Sequence, residues 1–321
     1  MHSQAYEIWG SMAKKKYVVV GTGAIGTLVA DQLAAAGHSV IAISRHAGPS
    51  ANPRVQHIAG DASDATFLVQ QAVDAAAIFN CVNPPYHRWP QEWPPIAAAL
   101  LHAAEESGAV LTTLSNLYAY GAPTGPLTPE TPLRATYAKG QVRGQMWLDA
   151  KAAHDANKIR ATEVRASDFI GPTGFSAINR VVPDIVEGKR VQLLGNPDAP
   201  HSWTYTVDVA KTLIAAAQNK TAWGRAWHAP TNPPRTQRQV VEELAKAAGV
   251  APVKASAVPN TLLRFLGIFN SEIREVLITM YQFEQPFVID DTATRRELGL
   301  SPTAWEEVLQ ATVSQASMGT R

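Results

Sequence analysis

Tyr17-Val18-Val19-Val20-Gly21-Thr22-Gly23-Ala24-Ile25-Gly26 joins a valine-rich run to the pattern G-x-G-x-x-G. The pattern alone recurs in many proteins. Here it leaves a strand predicted at 17–20 and opens a helix predicted from 24 to about 36, which Gly37 stops. In that setting the first glycine permits a tight turn and the second lets backbone approach a pyrophosphate. The third lets the helix pack on the strand. Free N–H groups and the dipole at the helix N-terminus then favour the phosphates. Gly21, Gly23, Ala24, Ile25 and Gly26 are therefore assigned to a dinucleotide.

Outward from this loop, short apolar runs alternate with amphipathic segments. Strands are expected at 39–44, 55–59, 76–81, 110–114 and 159–165, and helices at 65–73, 94–106 and 136–157. Repeated strand, helix, strand order implies an α/β fold with a doubly wound parallel sheet, its ligands at the carboxyl ends of the strands. After Ile170 the pattern changes: Gly171-Pro172 breaks the sixth strand, and the remainder becomes mainly helical. The division expected is a leader at 1–13, a nucleotide-binding domain at 14–170 and a smaller, mainly helical lobe at 171–321. Within the lobe a helix at 208–217 and a strand at 222–228 return to the sheet, so that about 206–230 belongs with the first domain. Gly10-Ser11-Met12 reads equally as a tag junction or as native chain.

The composition narrows the function. Lys plus Arg is 28 against 27 for Asp plus Glu, a net charge of +1, which gives no electrostatic footprint for nucleic acid. No apolar run approaches the ~20 residues of a membrane span. One cysteine, Cys81, cannot form an internal disulfide, which fits a reducing, cytoplasmic setting. The nine histidines have no paired ligand spacing, so no metal is expected. Low charge with eight tryptophans suits an aromatic-lined site for a small molecule, or an ordinary core.

The end of the second strand sets the cofactor type. An acidic residue there would bind the ribose 2′-hydroxyl; this chain has Ser44-Arg45-His46. A guanidinium pairs well with a phosphate dianion, which favours NADP(H) over NAD(H). Asp61 and Ala62 follow the third strand beside the adenine, with Asp64 the better helix cap. After the fourth strand, Val82 and Asn83 border the cofactor, and Tyr86, Trp89 and Trp93 form either an apolar substrate wall or a lid packed on the protein itself.

Four further stretches carry a resemblance. Ser115-Asn116-Leu117-Tyr118-Ala119-Tyr120-Gly121 is followed by Glu130-Thr131-Pro132, by Arg165-Ala166-Ser167-Asp168-Phe169-Ile170-Gly171-Pro172, and by Tyr205-Thr206-Val207-Asp208-Val209-Ala210. With the glycine loop, in this order, they resemble the extended and atypical short-chain dehydrogenase/reductases, the NAD(P)-dependent epimerase/dehydratase superfamily, from 16 to about 310. The resemblance implies a Rossmann core, a small C-terminal substrate lobe and frequent dimers. It implies cofactor contacts at Ser115, Ala166 and Ser167 and a substrate contact at Asp168, while Phe175, His201 and Trp203 suggest a smaller, less charged ligand.

That family's chemistry uses a Ser or Thr, a Tyr and a Lys. The Ser slot, four residues before Tyr120, holds Asn116, whose amide can still orient a carbonyl. Tyr137 has Gln141 four residues on instead of lysine, and Lys139 lies two positions away, about 200° around a helix. A second register puts Lys139 and Arg143 in the Tyr and Lys slots. Tyr118 resembles the upstream tyrosine of atypical members. Tyr137, Tyr118 and Lys139 are thus three candidate proton carriers. His201 stands seven residues before Asp208, where relatives that bind nucleotide sugars carry a phosphate-gripping arginine. The function expected is an NADP(H)-dependent oxidoreductase or epimerase-like enzyme acting on a small carbonyl or alcohol. The degraded tetrad leaves a non-catalytic dinucleotide sensor as the alternative.

Overall fold

The computed structural model describes residues 14–46, 48, 52–174 and 176–319. In the first half, β1 (Lys16–Val20), α1 (Ala24–Ala35), β2 (Ser39–Ser44), β3 (Val55–Ala59), α2 (Ala65–Ala72) and β4 (Ala75–Asn80) are followed by α3 (Trp89–Ser107), β5 (Val110–Ser115), α4 (Ala138–Asp155) and β6 (Arg160–Arg165). Shorter elements come next: β7 (Asp168–Ile170), α5 (Val182–Val186), β8 (Val191–Leu193), β9 (Pro200–His201), β10 (Trp203–Tyr205), α6 (Thr206–Gln218) and β11 (Ala226–His228). The chain ends with β12 (Arg235–Thr236), α7 (Gln237–Ala247), β13 (Ala255–Ala257), α8 (Asn260–Phe269), α9 (Ser271–Ile278), α10 (Tyr281–Glu284), α11 (Thr292–Leu298) and α12 (Trp305–Gly319).

Seven strands form one parallel sheet in the order β11-β6-β5-β4-β1-β2-β3. A parallel sheet needs crossover helices, so both faces are covered and its central strands β1 and β4 are mostly apolar. Along β1, Tyr17 and Val19 enter one core with Val29 and Leu33 of α1 and Val209 and Leu213 of α6. Val18 and Val20 enter the other with Leu68 of α2, Leu100 of α3 and Met146 of α4. A third core, including Ile185, Leu193, Val240, Leu244 and Val308, holds the helical C-terminal region together. The α/β fold is thus the one the sequence implies.

Several boundaries differ; the strand expected at 222–228 spans only Ala226–His228, because Lys220–Ala222 forms a tight turn. The helix expected from Pro94 begins at Trp89, because Trp89 and Trp93 are both buried and anchor an additional turn. The Trp89 indole donates to Pro84 O at 2.8 Å, and Pro94 and Pro95 sit inside the helix without N–H groups to give. The break placed at Gly171-Pro172 comes earlier: β6 ends at Arg165, and β7 leaves the main sheet to pair with β10.

The far end of the sheet is tied by a buried polar chain. Arg165 Nε donates to Glu163 Oε1 at 2.7 Å, and its guanidinium also donates to the Tyr120 hydroxyl at 2.6 Å. That hydroxyl meets His228 Nε2 at 2.8 Å, and His228 Nδ1 donates to Asp290 O at 2.9 Å. Burial, with Arg165 adding to it, pushes the His228 imidazole down to about 3, so the ring is neutral with its proton on Nδ1. The phenol therefore donates to His228 while accepting from Arg165, and every member has a partner. Tyr120→Phe leaves two buried groups short of one. A loss of ~1–3 kcal/mol is expected in urea denaturation, with dinucleotide affinity retained.

Candidate active site

The strand order reverses between β4 and β1, and the carboxyl ends of these strands open a cleft there. Its floor is the glycine loop. Gly21 has φ +96°, and a β-carbon on it would lie 2.6 Å from the Cys81 backbone. A β-carbon on Gly26 would lie 1.8 Å from Gly21 O, whereas one on Gly23 would meet nothing within 4 Å. Helix α1 has no side-chain cap and no acidic residue in its first turn. Crowding at the outer glycines, open space at the middle one and free N–H groups above fit a pyrophosphate.

On one side of the loop a cavity of about 590 Å³ is lined by Gly21, Gly23, Ser44, Arg45, Asp61, Ala62, Val82 and Asn83. Asp61 Oδ1 accepts from both the N–H and the hydroxyl of Ser63 at 2.8 Å. These bonds, with Arg45 nearby, hold the carboxyl below its ordinary range. Asp64 caps α2 by accepting from Phe67 N–H at 3.0 Å.

On the other side, a cavity of about 380 Å³ shares Gly23, Cys81, Val82 and Asn83 with the first. It is further lined by Ala24, Ile25, Tyr86, Trp89, Ser115, Asn116, Tyr118, Ala166, Ser167 and Asp168. Asn116 Oδ1 accepts from Tyr118 N–H at 3.0 Å, which leaves the amide NH₂ as the free donor. The Ser167 hydroxyl is buried on this wall without a partner. The Tyr86 and Tyr118 rings lie 6.2 Å apart, and burial raises both phenols, Tyr118 well above its ordinary value. Burial likewise pushes the Cys81 thiol up to about 12, so it stays protonated.

Other sequence candidates lie off the cavity wall. Tyr137 is the residue before α4; its hydroxyl donates to Tyr118 O at 3.0 Å and meets the Tyr281 hydroxyl at 2.7 Å. Burial and Tyr281 raise this phenol far above the ordinary range. Lys139 Nζ goes to α9 instead, at 2.7 Å from Glu275 O and 3.1 Å from Glu275 Oε2. The tyrosine and the lysine thus serve different partners, and Lys139 also lies 5.0 Å from the Tyr86 ring. Trp93 is buried beneath the Arg143 guanidinium at 4.7 Å. Trp203 is buried and donates to Arg235 O at 2.9 Å. Phe175 lies outside the described residues. His201, only 2% exposed, stands behind the cavity with Nε2 at 3.0 Å from Asp168 Oδ2.

Arg143 and Gln282 line the same cavity. Arg143 donates to Leu114 O, and burial lowers it to about 10, which leaves it charged at neutral pH. Its only sequence signal is the second register of the tyrosine-lysine motif; Gln282, from a distant helix, has none. Among the described residues no helix is long and apolar enough to cross a membrane, and no group of three or more His, Cys, Asp or Glu could hold a metal ion.

A family model described as the NAD dependent epimerase/dehydratase family matches residues 17–227. The chain belongs to this family of enzymes, whose members use a nicotinamide dinucleotide and a small-molecule substrate. No curated protein matches it. Among solved structures it is similar to a UDP-glucose 4-epimerase from Thermotoga maritima, bound to UDP-glucose (TM-score 0.77, 15% identity, 95% of this chain and 100% of that one). It is also similar to the dTDP-glucose 4,6-dehydratase DesIV of Streptomyces venezuelae, a double mutant with NAD bound (0.74, 20%, 94% and 96%). A UDP-glucuronic acid 4-epimerase from Bacillus cereus, in complex with NAD, is a third (0.76, 17%, 95% and 100%). At these identities the likeness is one of fold.

The glycine geometry separates folding from binding. Gly23→Ala fits its backbone and open space, so the melting temperature holds while dinucleotide affinity falls by at least about tenfold in calorimetric titration. Gly26→Ala should lower both.

Proposed function

We propose that this enzyme is an NADP(H)-dependent oxidoreductase, or an epimerase-like enzyme working through the same redox step, for a small carbonyl or alcohol rather than a nucleotide sugar. The observation that carries this reading is the lack of a free cation on the wall of the 380 Å³ cavity. Among its described lining residues Arg143 is the one cation, and it is held by Leu114 O and Trp93. Lys139 is held by Glu275, and buried His201 by Asp168. A diphosphate would have nothing comparable to grip.

The glycine loop, Ser44, Arg45, Asp61 and Ala62 would hold the adenosine and phosphate end. Val82, Asn83, Ser115, Ala166 and Ser167 would border the nicotinamide, which when bound supplies or accepts the hydride. Asn116 NH₂ would orient the substrate oxygen, with Tyr86 and Trp89 as the apolar wall. Trp93 and Trp203 act from behind it, as packing. The raised phenols of Tyr118 and Tyr137 would stay protonated at neutral pH and serve as hydrogen-bond donors rather than bases. A groove bordered by Ala97 and Leu101 of α3 and by Gly144 and Leu148 of α4 supports self-association through these helices; Leu148→Glu would shift sedimentation toward a monomer.

Two measurements test the reading. Absorbance at the NADPH band, with a panel of small carbonyls, should show turnover; none across a broad panel sinks the oxidoreductase. Arg45→Ala should weaken NADPH by about 10–100-fold, with NADH affected no more than about twofold. An unchanged ratio of the two affinities removes the basis for NADP(H).

A further inference from the structure

Asp168 and His201 form an arrangement that the tyrosine-lysine chemistry does not account for. The imidazole lies between two acceptors: Nδ1 is 3.0 Å from Gln282 O, and Nε2 is 3.0 Å from Asp168 Oδ2. A backbone carbonyl only accepts, so Nδ1 carries a proton. An ionised carboxylate also only accepts, so the contact at Nε2 requires one more proton, on the ring or on the acid. The pair therefore holds a proton that a neutral imidazole beside a carboxylate would lack. The ring is walled off by Trp203 at 4.5 Å, Phe283 at 5.2 Å and Phe287 at 5.4 Å. Asp168 is open on its other side, with a 21% exposed side chain on the cavity wall.

We propose that Asp168 is the proton-transferring residue of this site, with His201 as the positioning residue that stores its proton. The proposal rests on the oxidoreductase reading above. As the carbonyl carbon takes a hydride from a reduced nicotinamide, the C=O π pair moves onto oxygen. That oxygen takes the pair's one extra proton through the Asp168 carboxyl group, which relays it from His201 Nε2 when the ring holds it. The pair ends as a carboxylate and a neutral imidazole protonated on Nδ1, and regains its proton from solvent. Alcohol oxidation runs the same path in reverse. Hence reduction should slow where the pair has lost its proton, and oxidation where it has gained one.

Groups packed around the pair do not replace its proton. The Tyr86, Tyr118 and Tyr281 hydroxyls that sense the Asp168 charge all have raised pKa values. Arg235, opposite His201 across β9 and β12, turns its guanidinium to Glu243.

The test has a spectroscopic and a kinetic arm. In protein labelled with ¹⁵N-histidine and ¹³C-aspartate, the His201 signals are identified by their loss in His201→Gln. At neutral pH they should show either two protonated ring nitrogens or a neutral ring beside a protonated Asp168. Asp168→Asn should leave a neutral ring. A neutral ring beside an ionised Asp168 overturns the proposal. With a carbonyl that the native enzyme reduces, Asp168→Asn should lower kcat by about 100-fold or more while NADPH affinity holds. It should also erase the pH limb, and Asp168→Glu should restore part of both. Native-like kcat and pH profile in Asp168→Asn overturn the proton role alone. A native enzyme inert on every carbonyl overturns the oxidoreductase reading and the proton role with it.

Discussion

No β-carbon fits at Gly21 or Gly26. One would enter the backbone at the end of β4, the other the carbonyl of Gly21 itself. This contact between the β1–α1 turn and the strand beside it seats α1 where its free N–H groups look into the cleft. It also packs against Cys81, which is buried beside the loop. Both cavities meet at the same residues, so the placement of cofactor and substrate follows from a backbone packing that only glycine satisfies.

Above that floor, buried charge is arranged by satisfaction rather than by motif. A charge removed from water has to be paired or bonded, and among the described residues Lys139, Arg143 and Arg165 each have such a partner, though Arg143 Nε has none. Lys139 crosses to Glu275 on α9, Arg143 lies on Trp93 and bonds Leu114 O, and Arg165 joins Glu163 and Tyr120. Two of these cations stand where a sequence comparison looks for catalytic groups, yet they hold the roof and wall of the cavity. Besides Arg143, the ionisable groups among the described residues of the cavity wall are Asp168, the Cys81 thiol and the phenols of Tyr86 and Tyr118, and burial keeps the thiol and phenols protonated.

Much of this was legible because periodicity and glycine position are local. The strand runs at 39–44 and 55–59 match the structure residue for residue, and Asn116, Asp61 and Val82 lie at strand ends, where an α/β sheet exposes its loops. What stayed hidden is tertiary. Glu275, Tyr281 and Gln282 reach Lys139, Tyr137 and the cavity from helices more than 130 residues further on, and no spacing rule connects them. The start of α3 was hidden for another reason: Pro94 reads as a first helical residue, yet buried tryptophans before it extend the helix backwards. At His201 the sequence shows only that no arginine is there, and the contact with Asp168 appears only in the fold.

The return of the chain to the sheet has a consequence for assembly. Helix α6 packs on α1, and β11 completes the edge beside β6, although both follow the excursion through β7 to β10. During synthesis, Val29 and Leu33 stay uncovered on one face until residues beyond 206 have emerged, and the sheet has no last strand until residue 228. A fragment stopping before α6 would present that bare face to water and to its own copies. The chain then crosses back to the C-terminal region before β12, so the two parts are joined by several passes of backbone. A single proteolytic nick would not release either part as a finished unit, and sliding between them would have to shear every crossing together.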